Sequence, residues 1–245
     1  MLKQFNYDKI AQYYDMIESA YGPLEDFLLR TLKKHKAVKI LDMTAGTGKQ
    51  SIFLAERGFA VTSNDINPKM LAIAKSKAKA AKLKIRFNTG DMCTARLGKF
   101  DVVISLYNSI GHLSRKRFLL ALENIKRNLK PKGIYIFDIL DRGFTETQLP
   151  DYEFVGTSKT YGDIKIVVFI KYLAKGKALH VLQKILVQES MRRPFTIKES
   201  WDMNVYYYGE LEKILKDAGL EIIKQESINA NKNGSRAHFI VAKEY

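Results

Sequence analysis

The chain has 245 residues, and its 41 Lys and Arg against 26 Asp and Glu give a formal charge of +15. A hydrophobic content of 46% is enough for a folded core, which excludes a disordered or collagen-like chain. Cys93 is the single cysteine, so an internal disulfide is excluded, and the four histidines lack the spacing of zinc ligands. The longest uncharged stretch, residues 102–114, is shorter than the roughly 20 residues that cross a bilayer, so we expect a cytoplasmic protein with no membrane partner and no metal.

Short β-branched runs alternate with helical patterns over the first 140 residues. Two helices are predicted first, over 7–19 and 24–34, with Gly22-Pro23 between them. An alternation of strands and helices follows, which is typical of a parallel sheet with right-handed crossovers and helices on both faces. The predicted strands are 39–43, 60–64, 85–89, 100–106 and 134–140, and the predicted helices are 49–57, 67–81 and 115–129, with a turn at 131–133.

The pattern changes after Asp141. Four β-rich runs without helical periodicity follow, and antiparallel hairpins account for them best. Because this segment comes just after the carboxyl end of a strand, we expect it to cover the ligand crevice as a lid. The runs are 153–157, 164–173, 178–188 and 195–205, and after them come a helix over 209–217 and two strands over 221–227 and 238–243, around a turn at 231–234.

The first predicted strand ends in a glycine-bearing turn, Leu41-Asp-Met-Thr-Ala-Gly-Thr-Gly48. Glycines at such a turn let the backbone bend sharply and approach a ligand without a Cβ in the way. A dinucleotide site favours a third glycine three residues later, where this chain has Ser51. The motif therefore predicts a ligand at this strand end and makes NAD or FAD less favourable.

Acidic residues follow the next two strands. Asp65 lies at the end of the second strand, 17 residues beyond Gly48, where a carboxylate can accept hydrogen bonds from both ribose hydroxyls. Asp91, in Gly90-Asp91-Met92 after the third strand, can accept from an adenine amino group. The three strand ends together predict a site for one adenosine.

These motifs, in this order, resemble those of the class I S-adenosylmethionine-dependent methyltransferases. The resemblance lies in residues 42–48, 64–71, 90–92 and 129–133, and the segments 42–51 and 103–113 are most similar to the glycine N-methyltransferase and amino-sugar N-methyltransferase branch. Thr44-Ala45 departs from that branch, so glycine is not implied as the substrate. The resemblance implies a Rossmann-like α/β sheet of seven mostly parallel strands, with an antiparallel last strand and an inserted antiparallel β lid.

The resemblance also implies roles for individual residues, with S-adenosyl-L-methionine as the cofactor. The expected cofactor-binding residues are Asp42, Gly46 and Gly48 for the methionine part, Asp65 and Ile66 for the ribose, Asp91 and Met92 for the adenine, and Leu106 for the neighbouring wall. The expected acceptor-facing residues are His112, Tyr14 and Asn108, of which His112 and Tyr14 are candidates for accepting a proton.

We therefore expect a methyltransferase domain formed by residues 1–144 and 207–245, with a lid over 145–206. The expected reaction is methyl transfer to a nitrogen or oxygen of a small molecule, by a monomer or homodimer. Two alternatives remain open from the sequence: an enzyme that methylates tRNA or rRNA, and a protein that binds the cofactor without catalysis.

Most of the positive charge lies in the first part of the chain. Residues 1–150 hold 26 basic and 14 acidic residues, and 69–86 holds seven basic residues and no acidic one. Read as a helix, this segment places Lys75, Lys79 and Lys82 on the face opposite its apolar stripe. Charge runs of this kind usually form a solvated helix face, so a nucleic-acid partner is possible but not favoured.

Overall fold

The computed structural model describes residues 3–18, 22–148, 153–190, 192–229 and 236–245. They form a seven-stranded sheet with helices on both faces and a separate four-stranded sheet. Among these residues, every helix is too short or too polar to cross a membrane.

The larger sheet has the strand order β10-β11-β5-β4-β1-β2-β3. The five strands from β5 to β3 are parallel, and β11 runs antiparallel to both β5 and β10. This arrangement confirms the predicted fold, including the antiparallel last strand. The strands are β1 Lys39–Asp42, β2 Ala60–Asp65, β3 Arg86–Thr89, β4 Phe100–Ser105, β5 Leu129–Leu140, β10 Leu220–Asn229 and β11 Arg236–Glu244.

Helices cover the two faces of this sheet because each presents an apolar stripe to it. On one face, Leu24, Phe27 and Leu28 pack against the sheet, and on the other face Phe118 and Leu211 do so. The helices are α1 Tyr14–Ile17, α2 Gly22–Lys34, α3 Lys49–Ala55, α4 Pro68–Ala80, α5 Arg115–Asn128, α6 Arg142–Gln148 and α7 Tyr208–Asp217.

The smaller sheet is an antiparallel meander in the order β6-β7-β8-β9, as the hairpin pattern predicted. Ile166 and Val187 on one of its faces pack against Ile10 and Tyr13 of the N-terminal segment, which comprises residues 3–18. The N-terminal segment therefore contributes part of the hydrophobic core beneath the lid sheet. The strands are β6 Glu153–Tyr161, β7 Ile164–Lys175, β8 Ala178–Glu189 and β9 Phe195–Asn204.

Two predicted elements differ from the structure. The predicted helix over 7–19 is divided into two short 3-10 turns and α1, and this segment packs on two distant elements, the lid sheet and α4. The strand predicted over 134–140 begins earlier, at Leu129. The turn expected over 131–133 is instead a bulge within this strand, where Lys132 has a φ of 64°. The predicted turn over 231–234 lies outside the described residues.

Candidate active site

A cavity of about 760 Å³ lies at the carboxyl ends of the parallel strands. Here β1 has β4 on one side and β2 on the other. The order in which successive strands are added to the sheet therefore reverses at β1. Ligands of open α/β sheets bind at such a reversal, and the volume is in the usual range for cofactor sites. Of the predicted cofactor residues, seven line this cavity: Asp42, Gly46, Asp65, Ile66, Asp91, Met92 and Leu106.

The loop after β1 is held by the buried carboxylate of Asp42. Its Oδ2 accepts a hydrogen bond from Ser51 Oγ at 2.7 Å, and burial raises the pKa of Asp42 to about 7. The Thr44 hydroxyl, in the same loop, is buried without a hydrogen-bond partner among the described residues and belongs to the cavity wall. A ligand with a polar group at this position would complete that hydrogen bond.

The two glycines of the motif have different roles. Gly46 lines the cavity, and its N–H donates to Asp65 Oδ2 at 2.7 Å. Gly48 is not part of the cavity wall: it has a φ of 80°, and a Cβ added there would lie 2.8 Å from the Cβ of Ala74 in α4. Only glycine therefore lets α3 and α4 approach this closely, and we interpret Gly48 as a packing residue.

Asp65 occupies the end of β2, as predicted, and already organises the backbone around it. Its Oδ1 accepts from Asn67 N at 2.8 Å and its Oδ2 accepts from Gly46 N. Burial raises the pKa of Asp65, although these backbone hydrogen bonds lower it. The neighbouring Ile66 is 65% exposed and lines the cavity, so it offers an apolar surface there.

Asp91 also occupies its predicted place, but it has a partner that the sequence analysis did not anticipate. Arg117 donates to Asp91 Oδ2 at 2.6 Å, and Cys93 N donates to Oδ1 at 2.9 Å. Partial burial raises the pKa of Asp91, yet these hydrogen bonds outweigh that effect and hold it below its usual value. Met92 is buried beside it in the cavity wall.

The chain turns sharply after β4, because Tyr107 and Asn108 both adopt the left-handed conformation, with φ of 60° and 53°. The Asn108 N–H donates to Asp138 Oδ2 at 2.9 Å, and Asn108 Oδ1 accepts from Leu140 N at 3.3 Å. Its side chain thus ties this turn to the end of β5. The geometry indicates a positioning role for Asn108 at the acceptor side.

A second cavity, of about 170 Å³, adjoins the first and lies beneath the lid. Residues of the four-stranded sheet that line it come from β7, β8 and β9. Six residues line both cavities and form the boundary between them: Phe5, Tyr7, Tyr14, Glu18, Tyr107 and His112.

Two of the predicted acceptor-facing residues lie on this boundary. The ring of His112 is buried, with its Nε2 3.3 Å from Tyr7 Oη, and burial lowers its pKa to about 4. Tyr14 lines both cavities, whereas its neighbour Tyr13 is buried against the lid and donates to Glu189 at 2.8 Å. Of the pair, Tyr14 is therefore the member that lines the cavities.

The sequence analysis did not identify the two buried carboxylates of the smaller cavity, Glu18 and Asp138. Burial raises the pKa of both, that of Asp138 to about 7. Asp138 interrupts the apolar run of β5, and a charged residue inside a buried strand was a signal available in the sequence. Among the described residues, no group of three or more His, Cys, Asp or Glu is arranged to hold a metal.

The N-terminal segment crosses the mouth of the larger cavity. Asp8 contacts Lys69 Nζ at 2.9 Å, and Asp15 accepts from Thr47 Oγ1 at 2.6 Å and from Lys77 Nζ at 2.8 Å. Two lysines of the basic helix therefore bind this segment. Lys75 and Lys79 of this helix are exposed as expected, whereas Lys82, also exposed, lies beyond its end at Ala80 and has a φ of 55°.

Comparisons with known proteins agree with this site. Residues 40–133 match the family model described as a methyltransferase domain. A glycine/sarcosine N-methyltransferase of Parasynechococcus marenigrum is 41% identical over 46% of this chain and 42% of its own length. An N,N-dimethyltransferase of Streptomyces fradiae that acts on dTDP-3-amino-3,6-dideoxy-alpha-D-glucopyranose is 28% identical over 87% of this chain and 84% of its own. The chain spans about half the length of the first curated relatives, 42–57%.

The fold is shared with a solved S-adenosylmethionine-dependent methyltransferase of Clostridium acetobutylicum. The TM-score is 0.81 at 19% identity, and the alignment covers 97% of this chain and 98% of that one. The predicted resemblance is thus confirmed in sequence and in fold. Residues 40–133 match a methyltransferase domain, and the chain shares its fold with this solved methyltransferase.

Proposed function

We propose that this protein is an S-adenosylmethionine-dependent methyltransferase whose acceptor is a small molecule, and that the methylated atom is an amine nitrogen. The observation that carries the proposal is the pair of adjoining cavities, one large enough for a nucleoside cofactor and one smaller, with six residues shared at their boundary. The N-methyltransferase names of the relatives support nitrogen over oxygen. The single cysteine is consistent with the cytoplasm as the place of action.

The larger cavity fits S-adenosylmethionine. The exposed Ile66 side chain offers an apolar surface, the Asp65 carboxylate serves the ribose hydroxyls, and the unpartnered Thr44 hydroxyl serves the polar methionine part. Asp42 and Gly46 shape the loop around that part. Asp91 and Met92 serve the adenine, with Leu106 completing the wall.

The cofactor supplies a methyl group on a sulfonium, which makes the reaction an in-line displacement that needs little covalent help from the protein. The chain's contribution is then to orient the acceptor, to exclude water and to hold a proton. The buried boundary of Tyr7, Tyr14 and His112 supplies the exclusion of water. His112 is uncharged at neutral pH because burial lowers its pKa, so it is suited to accepting a hydrogen bond.

The test combines two measurements on the full chain. Titration calorimetry with S-adenosylhomocysteine should give a saturable one-site isotherm. Methyl-labelled S-adenosylmethionine, offered with a panel of small amines, phenols and amino acids, should then give turnover with an amine. Cofactor binding without turnover on any acceptor would favour a non-catalytic binding protein, and absence of cofactor binding would overturn the proposal.

A further inference from the structure

Three buried polar atoms in residues that line the smaller cavity have no hydrogen-bond partner among the described residues. They are Asp138 Oδ1 on β5, Gln183 Oε1 on β8 and Trp201 Nε1 on β9. An unsatisfied buried polar group destabilises the fold, and such groups in native proteins usually have a partner. Three of them around one cavity indicate a polar ligand that supplies the missing hydrogen bonds.

The charges around this cavity indicate the sign of that ligand. Its described lining contains the carboxyl groups of Glu18 and Asp138 and no Lys or Arg. His112 adds no positive charge at neutral pH. Aromatic side chains, including Trp201 and Tyr14, also line the cavity, and aromatic rings attract cations rather than anions. Lys49 and Lys159 interact electrostatically with Glu18 from outside this lining, so Asp138 is the carboxyl group left to pair with a protonated amine.

The position of Asp138 is fixed by its other oxygen. Because Oδ2 accepts from Asn108 N at 2.9 Å, Oδ1 is left for the ligand. The two lid atoms differ in kind, since Gln183 Oε1 accepts and Trp201 Nε1 donates. Because a hydroxyl group donates one hydrogen bond and accepts another, it matches the acceptor of Gln183 and the donor of Trp201. The ring of Phe5, 4.4 Å from that of Trp201, supports the indole in this place.

We propose that Asp138 binds the protonated amine of the acceptor and takes a proton from it, that Gln183 and Trp201 bind a neighbouring hydroxyl, and that the acceptor is a small amino alcohol without a carboxylate. This inference rests on the proposed function. In the step, the N–H bond breaks, the proton moves to Asp138 Oδ1 and the electron pair stays on nitrogen. That pair forms the C–N bond as the C–S bond breaks and its electrons go to sulfur.

The environment of Asp138 suits this role. Burial raises its pKa to about 7, so the carboxyl group can both accept and release a proton near neutral pH. The titratable groups that interact with it electrostatically are Tyr107 and Tyr135, both with pKa raised by burial, so they stay uncharged. Glu18, which also lines the cavity, is the other acidic group there.

The first experiment measures acceptor binding to the protein saturated with S-adenosylhomocysteine. Calorimetric titrations use 2-aminocyclohexanol, cyclohexanol and glycine as probes. The amino alcohol should bind at least tenfold tighter than either of the others.

Asp138→Asn should remove that preference while S-adenosylhomocysteine affinity stays within twofold, because the amide oxygen can still accept from Asn108 N. Asp163→Asn, at an exposed turn of the lid, is the matched control.

The second experiment separates proton transfer from a structural role. With labelled cofactor, Asp138→Asn should lower kcat for 2-aminocyclohexanol about 100-fold, in the range expected for loss of a proton acceptor. Activity should recover as pH rises, because the amine then loses its proton to solvent. Gln183→Leu should raise KM about tenfold for the amino alcohol and leave KM for cyclohexylamine unchanged. Gln188→Leu, exposed on the same strand, should change neither.

The results that overturn the inference differ from those that overturn the proposed function. Tighter binding of glycine than of the amino alcohol, or wild-type kcat and pH profile in Asp138→Asn, would refute the role of Asp138. In both cases S-adenosylhomocysteine would still bind. Loss of S-adenosylhomocysteine binding by the wild-type protein would instead refute the proposed function.

Discussion

The hydroxyl of Tyr7 lies 3.3 Å from Nε2 of His112, and this contact joins the N-terminal segment to the turn after β4 at the boundary of the two cavities. The two residues are 105 positions apart in the chain. Both are partly buried, and burial is what lowers the pKa of His112 to about 4.

The buried state of His112 predicts a pH dependence of stability. An unfolded chain has a histidine pKa of about 6.5, so between pH 4 and 6.5 the unfolded state binds more protons, and stability rises with pH across this window. This gain in the free energy of unfolding is on the order of 3 kcal/mol and is complete above pH 6.5. Urea unfolding at pH 4.5 and 7 should show a steeper loss in the wild type than in His112→Asn. A His112 NMR titration midpoint near 6.5 would contradict this prediction.

Asp65→Ala should abolish detectable S-adenosylhomocysteine binding in a calorimetric titration while the fold is retained. Because the carboxylate also accepts from Gly46 N and Asn67 N, we expect the free energy of unfolding to fall by about 1–3 kcal/mol as well. Asp101→Ala is the matched control, since that carboxylate binds Val38 N and Lys39 N at the start of β1.

The Asp101 variant should lose similar stability and keep cofactor affinity. If Asp65→Ala binds S-adenosylhomocysteine as the wild type does, the assignment of Asp65 to the ribose is wrong.

Gly48→Ala should destabilise the protein more than Gly58→Ala. Both glycines have positive φ, 80° and 84°, so each substitution pays about 1–2 kcal/mol of backbone strain. A Cβ at position 48 also meets Ala74 Cβ at 2.8 Å, whereas a Cβ at position 58 has nothing within 4 Å. We expect a further 1–3 kcal/mol, roughly, for Gly48→Ala from overpacking. Equal unfolding midpoints in urea would contradict packing as the role of Gly48.

The basic helix α4 should not bind RNA. Lys69 and Lys77 contact Asp8 and Asp15, which leaves the exposed lysines of this helix as a solvated face. Filter binding of tRNA and rRNA should therefore show no retention at low salt. Replacing Lys75, Lys79 and Lys82 by Glu should leave turnover on a small acceptor unchanged. Tight RNA retention that falls steeply with salt would favour the RNA methyltransferase alternative.

The sequence by itself determined the sheet and the place of three acidic residues at its edge. Asp42 and Asp65 end recognisable strands and Asp91 follows another, and the carboxyl ends of parallel strands meet at one edge, so local patterns were enough to bring them together. The hairpin pattern likewise predicted the lid strands within a few residues.

Only the tertiary structure decided the acceptor side. Asp138, Gln183 and Trp201 come from three strands in two sheets, and no local period relates them. The N-terminal segment also differs from its predicted helix, and its contacts with the lid sheet and α4 are visible only in the tertiary structure. Strand ends are set by interactions among near neighbours in the chain, whereas the smaller cavity is set by how the lid and the N-terminal segment pack onto the sheet.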